Sequence, residues 1–205
     1  MQKIKKSTYI TLLMAAILWF LLFVIKPMNF WLEMGISISI LALAAILINK
    51  GNFDFGKLKL RHVITGILSA ILLYLIFYVG NIVSGFVLPF KEEQILSVYQ
   101  NAKGVSPVVI GLLLLFLIGP GEEIYWRGFI QKVFIQRFGE RKGCIIAILL
   151  YTSVHILTGN FMLVIAAFVC GTFWGLMYMK EKSLYPILIS HALWDMTAFV
   201  IFPFQ

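Results

Sequence analysis

Long apolar runs broken by short polar stretches set the elements expected of this chain. A helix crosses a bilayer with about 20 mostly apolar residues. Runs at about 8–25, 30–48, 63–88, 107–138, 143–157, 161–179 and 184–202 approach or exceed that length, which predicts about seven transmembrane helices. The breaks carry helix-end signals. Lys26-Pro27 ends the first run, Pro107 is a favoured first-turn residue for the fourth, and Gly139 stops it. No internal repeat or low-complexity stretch interrupts the pattern.

Composition narrows the class to an all-α, multi-pass membrane protein. Of 205 residues, 61% are hydrophobic and only 13% charged, and no polar stretch is long enough to fold as a separate soluble domain. The net charge of +8 does not point to nucleic acid, because Lys and Arg gather at the ends of the apolar runs. Lys3, Lys5, Lys6, Lys50, Lys57, Lys59, Arg61, Lys132, Arg137, Arg141, Lys142, Lys180 and Lys182 fall on one side, against Lys26, Lys91 and Lys103 on the other. That bias predicts a cytoplasmic N-terminus and an outside C-terminus. The sequence around Trp19 to Ile25 offers no small-residue cleavage site, so the first run reads as a retained span. Cys144 and Cys170 fall inside spans and read as buried small hydrophobes.

Other features have ordinary readings. The basic connection at 49–62, with Phe and Leu among its charges, fits a segment on an anionic leaflet and a solvated loop equally. His62 within it reads as solvated or interfacial. Gly80, Asn81, Ser84 and Gly85 read as small residues for close helix packing. Trp19, Trp31, Trp174 and Trp194 read as packing and interface residues.

Against this background Gly119-Pro120-Gly121-Glu122-Glu123-Ile124-Tyr125-Trp126-Arg127-Gly128 stands out, since it continues an apolar run with three ionisable groups. Each such group at membrane depth costs about 2.5–3.5 kcal/mol on insertion scales, so it is rare unless paired or functional. At about 1.5 Å per residue, Glu122 lies roughly 15 Å from Lys132, His155 roughly 20 Å from Lys142, and His191 and Asp195 roughly 14 and 20 Å from Lys182. Three helices thus bring polar groups to one middle layer. Glu123 and Arg127 are four apart and can pair on one face, leaving Glu122 turned away from them; His191 and Asp195 are likewise four apart. Pro120 removes a backbone donor and, between two glycines, predicts a kink. Trp126, inside the motif, is a candidate lining residue of a substrate cavity.

The chemistry these groups suit is attack of water on a carbonyl. In one arrangement a carboxylate near a histidine is the general base, and a second histidine with a neighbouring polar group faces the developing oxyanion. In the other, Glu122, His155 and His191 ligate zinc and leave a position open for water. Both arrangements lead to peptide hydrolysis, with or without a metal.

Glu122-Glu123-x-x-x-Arg127-Gly128, then Tyr151 four residues before His155, then His191-x-x-x-Asp195, resemble the three ordered motifs of the CPBP (Abi) family. That family comprises the type II CAAX prenyl proteases and bacteriocin-processing or immunity membrane proteins. The resemblance covers about 106–205, a catalytic core, with 1–105 left as N-terminal helices and loops of the same compact membrane domain. It implies that Glu122 and His155 activate water, that Glu123 and Arg127 support them, and that His191 and Asp195 stand on the oxyanion side. Tyr151 stands where Phe is usual, and Asp195 where eukaryotic prenyl proteases have Asn. The expected protein is an intramembrane endopeptidase of the bacterial cell membrane, acting on a membrane-associated or lipidated peptide or a membrane protein. A non-catalytic peptide-binding or bacteriocin-immunity protein is the alternative.

Overall fold

The apolar runs become helices α1 (Lys6–Ile25), α2 (Phe30–Asn49), α3 (Leu60–Val87), α4 (Lys91–Tyr99), α5 (Pro107–Phe138), α6 (Glu140–Ile156), α7 (Phe161–Glu181) and α8 (Tyr185–Ile201). They are seen in a computed structural model that describes residues 3–204, and no strand occurs among the described residues. Of these helices α1, α2, α3, α5 and α7 are long and apolar enough to cross a membrane. The remaining two of the seven expected spans are shorter. α6 has 17 residues in all, its first turn taken up by Glu140-Arg141-Lys142, and α8 begins only at Tyr185. Many large apolar side chains of α1, α2 and α3 face outward, including Leu13, Leu43 and Leu68. An outward apolar girdle suits lipid, and the chain is an integral membrane protein.

Polar contacts collect at the two ends of the bundle. At one end Leu184 N donates to Asp54 O at 2.8 Å, Lys132 Nζ pairs with Asp54 Oδ1 at 2.9 Å, and Ser183 Oγ donates to Phe55 O at 3.1 Å. Phe53, Asp54 and Phe55 are therefore docked against the bundle, while Lys50, Gly51 and the stretch from Gly56 to Lys59 stay exposed. The place expected for His62 is corrected. Its side chain is buried, Nδ1 accepts from Lys59 N at 3.4 Å, and the ring stacks on Tyr185. The first turn of α3 packs against the start of α8, which removes His62 from solvent.

At the other end α4 lies across the bundle. Tyr99 Oη donates to Ala198 O at 2.8 Å, Trp31 Nε1 to Asn101 O at 3.0 Å, and Asn160 Nδ2 to Gln94 O at 2.7 Å.

Close packing of α3 differs from expectation. Gly66 is the contact point: a Cβ there would meet Ile189 at 2.7 Å and the Pro186 carbonyl at 3.0 Å. A Cβ on Gly80 would meet nothing within 4 Å, and one on Gly85 only the Lys91 ammonium at 3.9 Å. The Gly80–Gly85 stretch therefore makes no tight helix contact. Instead Gly80, Asn81 and Ser84 line a cavity.

Candidate active site

The chemistry-bearing motif sits in the middle of α5. Pro120 has no N–H, so an unbroken helix would strand the Phe116 carbonyl. The helix runs on from Pro107 to Phe138 by widening into π turns at Leu114–Ile118 and Trp126–Gln131, either side of Gly119–Tyr125. The expected kink is thus taken up as two wide turns, a feature common at functional sites.

Gly119 brings α8 against this segment. A Cβ there would meet the Leu114 carbonyl oxygen at 3.0 Å and the Ala192 Cα at 3.3 Å. The close approach places His191, the neighbour of Ala192, against α5. Its Nδ1 lies 2.6 Å from Glu123 Oε1, and the same oxygen accepts from Arg127 Nη1 at 2.7 Å. Glu123 is fully buried and Arg127 nearly so. A buried carboxylate is tolerated only when paired and hydrogen-bonded, and here two donors share one oxygen. The Arg127 guanidinium lies over the Tyr151 ring at 4.7 Å and near the Trp174 ring at 5.6 Å. Such aromatic faces stabilise a desolvated cation.

His191 is held from three directions. Besides Glu123, its Nε2 lies 3.4 Å from Asp195 Oδ2 across one turn of α8. The Trp174 indole stacks on the imidazole with centroids 3.7 Å apart, fixed in turn by a 3.1 Å hydrogen bond to Ser190 Oγ.

Glu122 points away from this network, as the 100° step along a helix requires. Its Oε2 accepts from the Tyr151 hydroxyl at 3.1 Å. One turn along α6, His155 Nδ1 lies 2.9 Å from Tyr151 O, and its Nε2 accepts from Trp19 Nε1 at 3.3 Å. A carbonyl can only accept, so Nδ1 carries the hydrogen and Nε2 presents its lone pair.

Glu122, Tyr151, His155, His191 and Asp195 all line one cavity of about 350 Å³. The shared middle layer read from helix depth is therefore a shared space. Trp126 is different: it is buried, packs edge-on against Tyr151, and is not among the cavity-lining residues. The wide turn that begins at Trp126 carries its ring behind the cavity wall, which corrects its expected place.

The zinc arrangement does not fit. Among the described residues no three of His, Cys, Asp or Glu are disposed to hold a metal ion. Both nitrogens of His155 are engaged by Trp19 and Tyr151, and those of His191 face Glu123 and Asp195. Glu122, His155 and His191 thus share a cavity without converging their lone pairs on one point.

Three residues matter more than sequence reasoning allowed. The Tyr151 hydroxyl, absent from the usual Phe, is the hydrogen bond to Glu122; its position one turn before His155 was the available signal. Trp19 and Trp174 each fix a histidine, and nothing in the sequence separates them from ordinary buried tryptophans.

Comparison with known proteins bears on the same residues. Residues 104–197 match the family model described as Type II CAAX prenyl endopeptidase Rce1-like. No match was found among curated proteins or among solved structures. The matched segment begins beyond α4 and runs through Asp195, so it holds Glu122, Glu123, Arg127, Tyr151, His155, His191 and Asp195 and leaves out α1 to α4.

Proposed function

We propose, on the premise that this chain belongs through residues 104–197 to the family of CAAX-type intramembrane proteases, that it hydrolyses a peptide bond inside the bilayer with water activated by Glu122. The observation that carries this reading is the division of labour between adjacent carboxylates. Glu123 gives one oxygen to both Arg127 and His191 and does not line the cavity, whereas Glu122 holds one hydroxyl and lines it.

In this reading Glu122 takes a proton from the attacking water and later returns it to the leaving amine. General-base catalysis of this kind is worth about 10²–10⁴ in rate. The Tyr151 hydroxyl orients the carboxylate. His155, on the same cavity wall, orients the water through Nε2 in exchange for its 3.3 Å contact with Trp19. As an imidazolium with Nδ1–H on Glu123, His191 turns its Nε2–H from Asp195 to the oxyanion, with Trp174 holding its ring; one such donor contributes about 10²–10³. Arg127 neutralises Glu123, so that His191 is positioned by a carboxylate that carries no free charge. No step passes through a metal. The substrate is a peptide or membrane protein reaching the cavity from the bilayer. In this reading the end of the bundle rich in Lys and Arg faces the cytoplasm, the N-terminus is inside, and α6 and α8 are the fifth and seventh spans.

The test is cleavage of a mixed peptide library by the protein in nanodiscs, read by mass spectrometry beside Glu122→Gln. Products made by the wild type and absent from the variant support the reading. Equal products from both proteins overturn the assignment of Glu122. Peptide retention without cleavage by the wild type overturns peptidase activity itself.

A further inference from the structure

The cavity reaches well beyond the catalytic set, and its outer wall comes from the half of the chain that the family match leaves out. Ile76, Phe77, Asn81 and Ser84 of α3 and Val98 and Tyr99 of α4 line it together with Trp194 of α8. Polar groups in such a wall are informative, because a buried donor or acceptor without a partner is costly and rare. Tyr99 is satisfied, since its hydroxyl donates to Ala198 O at 2.8 Å and accepts from Phe204 N at 3.0 Å. Ser84 is satisfied by Asn81 O at 3.1 Å. Two buried atoms of cavity-lining residues are not. Among the described residues, Asn81 Oδ1 and Trp194 Nε1 have no hydrogen-bond partner.

Both residues line this wall. Phe77, one turn before Asn81 on α3, packs on the Trp194 ring with centroids 4.8 Å apart. One wall therefore holds an unpaired indole N–H and an unpaired carboxamide oxygen, both on residues that line the cavity shared with Asp195.

A peptide entering this space has the complementary need. Within the hydrocarbon layer every backbone N–H and C=O must find a partner. A bond can be hydrolysed only when the segment around it leaves its helix, which frees those groups. We infer that Asn81 and Trp194 bind the unwound backbone of the substrate beside the scissile bond. Trp194 Nε1 donates to one substrate carbonyl and the Asn81 carboxamide accepts from one substrate N–H. The inference rests on the peptidase reading, and it makes α3 a specificity-determining element for extended peptide backbone rather than for a particular side chain.

The experiment separates the two ideas. Library peptides retained by Glu122→Gln protein in nanodiscs are identified, and their affinity is measured for that protein and for the same protein carrying Asn81→Leu or Trp194→Phe. Each second substitution should weaken binding about three- to tenfold, the worth of one neutral hydrogen bond. Methylating one backbone nitrogen of the peptide should weaken binding to the parent by a similar factor and leave binding to Asn81→Leu unchanged. Thermal unfolding checks that both variants fold, and Asn81→Leu should unfold no earlier than its parent because it removes an orphaned polar group. Equal affinities in all three proteins, equal effects of methylation on parent and variant, or retention of no peptide at all would overturn the inference. Binding that depends on Asn81, without cleavage by the Glu122 protein, would overturn the peptidase reading and leave the backbone site standing.

Discussion

Glu123 Oε1 stands 2.7 Å from Arg127 Nη1 and 2.6 Å from His191 Nδ1, so one carboxylate oxygen joins the motif helix to α8. His191, which lines the cavity, is tied to the motif helix by that junction. The adjacent carboxylate, Glu122, lines the cavity instead.

Breaking the junction should unfold the site. Arg127→Gln leaves Glu123 buried with His191 as its only charged partner, and removing one member of a buried pair costs about 3–5 kcal/mol. Unfolding in detergent should show a loss of that order. Glu122→Gln, which removes no ion pair, should unfold like the wild type while losing cleavage. Equal stability losses in both variants would contradict the division between the two carboxylates.

Tyr151→Phe tests the hydroxyl on Glu122. One hydrogen bond to a charged group is worth about 1.5–3 kcal/mol. Cleavage should therefore fall by about one to two orders of magnitude in kcat with little change in KM, because Tyr151 positions Glu122 rather than the substrate. A fall confined to KM would place the hydroxyl on the substrate instead.

The two glycines of α3 should behave oppositely. Gly66→Val drives a side chain into Ile189 and the Pro186 carbonyl, which at overpacked positions costs about 1–3 kcal/mol. Gly80→Val meets nothing within 4 Å and should not lower stability, yet it narrows the cavity that Gly80 lines. Thermal unfolding and the cleavage profile of bulky peptides, measured on both, check the contrast.

Asp54 gives the docking of the loop before α3 a pH dependence. Burial pushes its carboxyl upward, but the Tyr178 hydroxyl and the Lys132 ammonium outweigh it and hold the group below the ordinary carboxylate value. The unfolded chain then binds more protons than the folded one in that range. The contribution of Asp54 is present above about 3.9, the unperturbed value, and is lost as pH falls through the lower folded value. The group is partly exposed, so the effect is modest. Unfolding followed from neutral to acid pH should lose this slope in Asp54→Asn.

The sequence by itself determined the helical class and the pairs. Apolar length picks out the helices, five of them long enough to cross a bilayer, and helical rise places Glu122, His155 and His191 at matching positions along theirs. The four-residue spacing of Glu123 and Arg127, and of His191 and Asp195, likewise fixes contacts within one helix, and both pairs are present at 2.7 and 3.4 Å.

Rise along an axis says nothing about the direction each helix faces its neighbours. Only the tertiary structure decided that His191 takes Glu123, that Trp19 reaches His155 from 136 residues away, and that Trp126 turns behind the wall. The close approaches at Gly66 and Gly119 set those rotations, through contacts with residues distant in sequence. The same rotations convert Gly80, Asn81 and Ser84 from a packing pattern into a cavity wall, and draw Asp54 onto its partners Lys132 and Tyr178.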